Sequence, residues 1–168
     1  MTGAPANATV LNTTVLSNFA QVDHIELIVD LPRLVTVPAV QMELTEGVET
    51  HRYLEHAVTA LEENIPVVEP SAEAHQIEQS LLETLDPGEA QELAVADDVA
   101  GTVITDDGDA RPTANQRGIE LTGSIGLLVR SVEADRITAT TADTYLKRWI
   151  DEAGFHSPAR DLDGFLDE

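Results

Sequence analysis

Cysteine is absent from all 168 residues, which excludes a disulfide framework and any thiolate metal site. Lysine occurs once, at Lys147, and the cations total 9 against 31 Asp and Glu, leaving a formal charge of −22. Such a chain repels itself at low ionic strength and opposes a nucleic-acid backbone at long range, which counts against a nucleic-acid substrate. No apolar run approaches the ~20 residues of a membrane span. The start, MTGAPANATVLN, has neither a basic segment nor a long apolar one, so no signal peptide is expected. Without export, the two N-x-Thr sequons at Asn7 and Asn12 are expected to be coincidental, and the expected location is cytoplasmic.

What is present is 42% hydrophobic residues in regularly spaced runs, which a disordered acidic tail would lack. The length suits one domain with a real core. Acid spread over the whole chain is the surface expected of a halophilic protein. At ~1 M salt the Debye length is about 3 Å, so the repulsion is largely silenced.

Apolar and turn patterns alternate strands with helices. Strands are expected at 8–11, 33–37, 65–69 (IPVVE), 102–105 (TVIT) and 119–123 (IELTG). Helices are expected over TTVLSNFAQ, from Pro38 to Glu46 with a stop at Gly47, over 48–64, 71–84 and 86–100, over ARPTANQRG, and at 123–133 and 139–153. The tail HSPARDLDGFLDE reads as one more short amphipathic turn. This alternation implies an α/β fold, a mostly parallel sheet with helices on both faces. No repeat or second domain is visible.

In such sheets ligands bind beyond the carboxyl ends of the strands. Asp106 and Asp107 follow TVIT there, and Asn12 ends the first strand. Glu43 sits on the stripe marked by Val40, Leu44 and Gly47. Either it lies at the stripe's edge and reaches water, or a partner or metal compensates its burial. Glu89 has a strong local explanation, a capping box with Asp86 as N-cap and Pro87 at the first helical position. Glu92 shares its helix face. Asp97 and Asp98 lie at the end of that helix, where the dipole disfavours acids, and are taken as salt-adapted surface.

The histidines (His24, His51, His56, His75, His156) show no metal-ligand spacing and are assigned surface or packing roles. TGSIG at 122–126 resembles a phosphate loop without its Lys, and a strand-to-helix turn with Ser124 near the N-cap is preferred. A phosphoacceptor receiver domain needs its acidic pair after the first strand and a Lys after a late one. This chain has neither.

Six stretches in order, VLNTTVLSNFAQV, VTVPAVQMELTEG, LDPGEAQELAVA, TVITDDGDAR, GIELTGSIGLLV and YLKRWIDEAGF, span residues 10 to 155. Together they resemble the PIN-domain family, and more closely the haloarchaeal, toxin-like branch of its predicted nucleic-acid-binding proteins. The resemblance implies a three-layer α/β/α domain over 1–155, with 156–168 as a tail or short helix packed on it. It also implies a nuclease that gathers acids around Mg²⁺ or Mn²⁺, here an endoribonuclease and possible toxin of a toxin–antitoxin pair. The matching positions are Asn12, Glu43, Glu89 and Asp106, with Asp107 beside them as a metal ligand, an outer neighbour or a helix N-terminal acid. Thr14 and Glu92 would support them. Arg111 and Arg117 flank the helix that leaves TDD and are the candidates for RNA contact, with surface ion pairs as the alternative. An antitoxin partner and a homodimer, through HRYLEHAV or the C-terminal helix, are further implications.

One departure stands out. The family's first strand usually ends in Asp, and Asn12 carries one negative charge fewer. Three outcomes are open: a weakened site, a degenerate module that binds RNA or a partner protein without cutting, or an inactivating substitution introduced so that a toxic protein can be expressed.

Overall fold

Thr9–Leu11 (β1) is a short run buried along its whole length, as a strand between two parallel neighbours must be. The structure, a computed structural model, describes residues 3–155, 157, 160 and 162–165. Among these, β1 pairs with Leu34–Val35 (β2) and with Thr102–Ile104 (β3), and β3 pairs with Glu120–Thr122 (β4). All pairings are parallel, in the order β2-β1-β3-β4. Leu11 is level with Ile104, and Ile104 with Thr122. The residues that follow these strands therefore emerge at one edge.

Helices flank the sheet: α1 (Thr13–Gln21), α2 (Glu26–Val29), α3 (Pro38–Gly47), α4 (Leu54–Glu63), α5 (Ala72–Leu81), α6 (Pro87–Val99), α7 (Arg111–Arg117), α8 (Ser124–Glu133) and α9 (Ala139–Glu152). This is the α/β/α sandwich expected from the sequence. α6 lies on β1 and β3 and carries α5 on its outer side, while α1, α3 and α4 pack together. Trp149 of α9 is fully buried and stacks edge-on with Phe19 at 5.2 Å. Its indole N–H donates to the Asn18 carbonyl at 2.7 Å, so the polar edge of the largest core side chain is satisfied.

Helix starts follow the sequence. Asn12, Ser71, Asp86 and Thr138 cap α1, α5, α6 and α9 with side-chain oxygens. Ser71 Oγ accepts from the Ala74 N–H at 3.1 Å and donates to Asp98 at 2.9 Å. Ser71→Ala is expected to cost about 1 kcal/mol, read as a shift of the urea midpoint at unchanged slope.

Two expectations are corrected, and one element is added. IPVVE does not form a strand but a single bridge, Thr36 to Val67. Thr36 donates to Pro66 O and accepts from Val68 N, and Pro66 has no N–H with which to extend the pairing. The helix drawn over 48–64 begins only at Leu54, because residues 47–51 close a turn on the Gly47 carbonyl. The four-residue α2 has no counterpart in the sequence reading. At the tail, Leu162–Phe165 forms a 3-10 turn, with Leu162 buried and its N–H given to Asp143 of α9 at 2.8 Å. His156 lies outside the described residues. Among those described, the exposed large apolar side chains are Met42 and Leu82, neither of them on HRYLEHAV or α9.

Candidate active site

Asn12 follows β1 and caps α1. Its Oδ1 accepts from the Thr14 N–H at 2.8 Å and the Thr14 hydroxyl at 2.7 Å. A backbone N–H can only donate, so Thr14 fixes which way the amide points. The amide nitrogen faces Glu92 of α6 and donates to both its oxygens, at 2.9 and 2.8 Å. Glu92 is 1% exposed. Burial foremost holds its carboxyl well above the usual range; the Asn12 bonds oppose this, and the charges of Glu43, Glu89 and Asp86 add to it.

One turn earlier on α6 stands Glu89, which is 5% exposed. One carboxylate oxygen from each of Asp86, Glu89 and Asp107 lies within 4.8 Å of the others. Burial, and then Asp86 and Asp107, push Glu89 up to about 9. Asp86 is the N-cap that the sequence suggests, accepting from the Glu89 N–H at 2.9 Å. Those bonds with Glu89 hold its carboxyl below the ordinary value. Glu89 Oε2, by contrast, is buried without a hydrogen-bond partner.

Gly88 explains how the acids pack. A methyl group there would sit 2.7 Å from Glu43 Oε1 and 3.6 Å from Asp86 Oδ1 and Glu92 Oε2. Glu43 lies at the edge of the α3 stripe and is exposed overall, yet its Oε1 reaches this notch; its carboxyl is raised chiefly by partial burial, against the Thr13 hydroxyl.

The two aspartates after β3 part company. Asp107 joins the cluster, its N–H on Thr105 Oγ1 at 3.1 Å and its Oδ1 accepting from Asp109 N at 2.9 Å. Asp106 turns to the start of α8. Its Oδ1 accepts from Ser124 N at 2.7 Å, and its Oδ2 from the Ser124 hydroxyl at 2.6 Å and Asn18 at 3.0 Å. Burial raises its carboxyl against these bonds. TGSIG is therefore a strand-to-helix turn whose N-terminus takes a carboxylate from the neighbouring strand end. Gly123 permits this: a methyl group on it would come within 2.7 Å of Asp106 Oδ1. Thr14 supports Asp106 by accepting its backbone N–H at 3.3 Å.

Asn12, Glu43, Glu89, Glu92 and Asp107 are thus brought together, and Asp106 adjoins them through Thr14. Arg111 is exposed at the start of α7. Arg117 is not brought to this end. It pairs with Asp97 at 2.8 Å, in a pocket lined by Thr9 and Thr102 at the opposite, N-terminal ends of β1 and β3. Sequence reasoning missed two residues. Asp86 registered only as a cap, although an N-cap carboxylate must lie beside the first-turn Glu89. His51, with its ring 5.4 Å from that of Tyr53, lines a cavity of about 450 Å³ that reaches Asp106 and Asp107. No ligand spacing in the sequence signals it.

The family model for PIN domains, of the DUF3368 type, matches residues 8–168. The chain belongs to the PIN-domain family. Among solved structures, this PIN domain is similar to VapBC-1 from nontypeable Haemophilus influenzae, with TM-score 0.52 and 14% identity over 70% of this chain and 98% of that one. It also resembles VapBC2 from Rickettsia felis bound to a DNA fragment from their promoter, with TM-score 0.49 and 14% identity over 69% of this chain and 98% of that one. FitAcB from Neisseria gonorrhoeae has TM-score 0.49 and 16% identity over 68% and 96%. The first of these likenesses shows a shared fold. No curated protein matches the sequence.

Proposed function

We propose that this PIN domain is a Mg²⁺- or Mn²⁺-dependent endoribonuclease and the toxin half of a toxin–antitoxin pair. The observation that carries the reading is Glu89 Oε2, a buried carboxylate oxygen without a partner, set among Asp86 and Asp107. Like charges so placed are costly unless a cation or protons compensate them. An all-oxygen donor set is what a hard divalent cation takes. Glu89, Asp107 and Asp86 would hold the ion, with Glu43 beside them at Gly88. Once bound, it supplies a water of lowered pKa and offsets charge building on a phosphodiester.

The chain's own residues do the rest. Ser124 and Asn18 lock Asp106, and Thr14 fixes the β3 end, so that Asp107 is presented from a rigid strand terminus. The cavity beside Asp106 and Asp107 gives a strand of RNA a place to lie, and Arg111, exposed at the start of α7 outside that cavity, is a cation for a phosphate further along the strand. Taken by itself, Asn12 brings no charge where the family's first strand ends in Asp, and on that count cutting is weakened. The fold shared with VapBC-1 supports an antitoxin partner, and a homodimer belongs to the same reading.

The test is incubation of single-stranded RNA with the protein in molar KCl. Cleavage with Mn²⁺ or Mg²⁺ and none with EDTA is the expected result. RNA retained but uncut with either metal would favour the second reading, a binding module, which Asn12 specifically supports. Gly88→Ala gives an internal check. Alanine favours the helix by up to about 1 kcal/mol, yet its methyl displaces Glu43. Thermal stability without metal should hold while Mn²⁺ affinity, read by calorimetry, falls about tenfold.

A further inference from the structure

Asn12 and Glu92 differ in what they have left to give. Each carbonyl or carboxylate oxygen accepts two hydrogen bonds. Asn12 Oδ1 already takes two, both from Thr14. Glu92 takes one on each oxygen, both from the Asn12 amide, and so keeps one acceptor position on each. Among the described residues no Lys, Arg or His pairs with this buried carboxylate, and a buried charge without a counter-charge is expensive. Its Oε2 meets the same Gly88 notch as Glu43 Oε1 and Asp86 Oδ1. Beside it, Glu89 Oε2 is buried and unpartnered.

We propose that Glu92 is a carboxylate ligand of the metal site and that Asn12 is its positioning residue, the negative charge having moved from the end of β1 to α6. This rests on the metal-site reading above. Asn12 holds both oxygens of Glu92 through its amide nitrogen and keeps its own oxygen for the cap of α1. An aspartate at position 12 would cap equally well but would set one carboxylate against another. The two positions therefore form an exchangeable pair in which one amide and one acid are needed, in either order.

The experiment is calorimetric titration of Mn²⁺ in molar KCl into the wild type, Glu89→Gln, Glu92→Gln and the double variant Asn12→Asp/Glu92→Gln. Circular dichroism and the Mn²⁺-induced rise in Tm serve as second readouts. Wild type should bind and Glu89→Gln should not. Glu92→Gln should weaken binding by about tenfold or more, and the double variant should return to within about threefold of wild type. Unchanged affinity in a folded Glu92→Gln overturns the proposal while leaving the metal site standing. A double variant as weak as the single one also overturns it, since Glu92 would then matter only for packing. Wild type and Glu89→Gln behaving alike sinks the metal-site reading itself, and the assignment of Glu92 with it.

Discussion

Glu89→Gln is expected to lower RNA cleavage by about two orders of magnitude or more and, in the same protein without metal, to raise Tm. Both effects come from one side chain. Glu89 supplies the unpartnered oxygen of the cluster, so its amide loses a charged donor in the middle of the site. Without metal, burial and the adjacent Asp86 and Asp107 push its carboxyl up to about 9, so at pH 8 folding must take up a proton that the unfolded chain does not bind. The isosteric amide removes that cost. Cleavage assays with Mn²⁺ and calorimetric melting with EDTA read the two arms. A variant that loses both activity and stability would mean that Glu89 serves the fold.

The second large effect is the loss of pH dependence when metal binds. Glu43, Glu89, Glu92 and Asp106 all have raised carboxyls in the fold. Groups raised in this way contribute stability that is fully present below their unfolded values. That stability is lost as pH climbs through the folded values. For Glu89 the window runs from 4.5 to about 9. Asp86 is lowered and acts with the opposite sign, but only in more acidic solution. Metal-free Tm should therefore fall steadily from pH 5 to pH 9. With saturating Mn²⁺ it should stay nearly level over the same range, because the metal-bound fold and the unfolded chain then both carry these carboxylates deprotonated. Melting curves in molar KCl, with EDTA or Mn²⁺, decide this. Equal slopes in the two series would show that no ion competes with these protons.

The sheet was legible because β1 and β3 are short, largely apolar runs that each end in a turn or cap signal, and side-chain caps mark four of the helix starts. The false strand at 65–69 had the right composition, but Pro66 withholds the N–H that a longer ladder needs. In the site, alternation located the strand ends and therefore Asn12 and the aspartate pair. It could not say which aspartate turns where. That depends on Ser124 and Asn18, residues far off in sequence, which claim Asp106 and leave Asp107 to Glu89. Glu92 looked merely adjacent because helix periodicity gives its face and says nothing of the amide waiting on β1. Arg117 looked close to the site because it ends the helix leaving TDD, yet that helix carries it back to the far edge of the sheet.

That position of Arg117 changes how the protein should respond to electrolyte. A typical nucleic-acid binder is held by lysines and arginines whose counterions are released on contact, so added salt weakens it. Here Arg117 is engaged by Asp97 at the opposite end from the acids, and the chain as a whole carries a formal charge of −22. An incoming polyanion meets repulsion first, and dissolved potassium is what removes it. The logarithm of the RNA association constant should therefore climb with the logarithm of KCl concentration. Such a protein would be idle in dilute buffer and competent in brine.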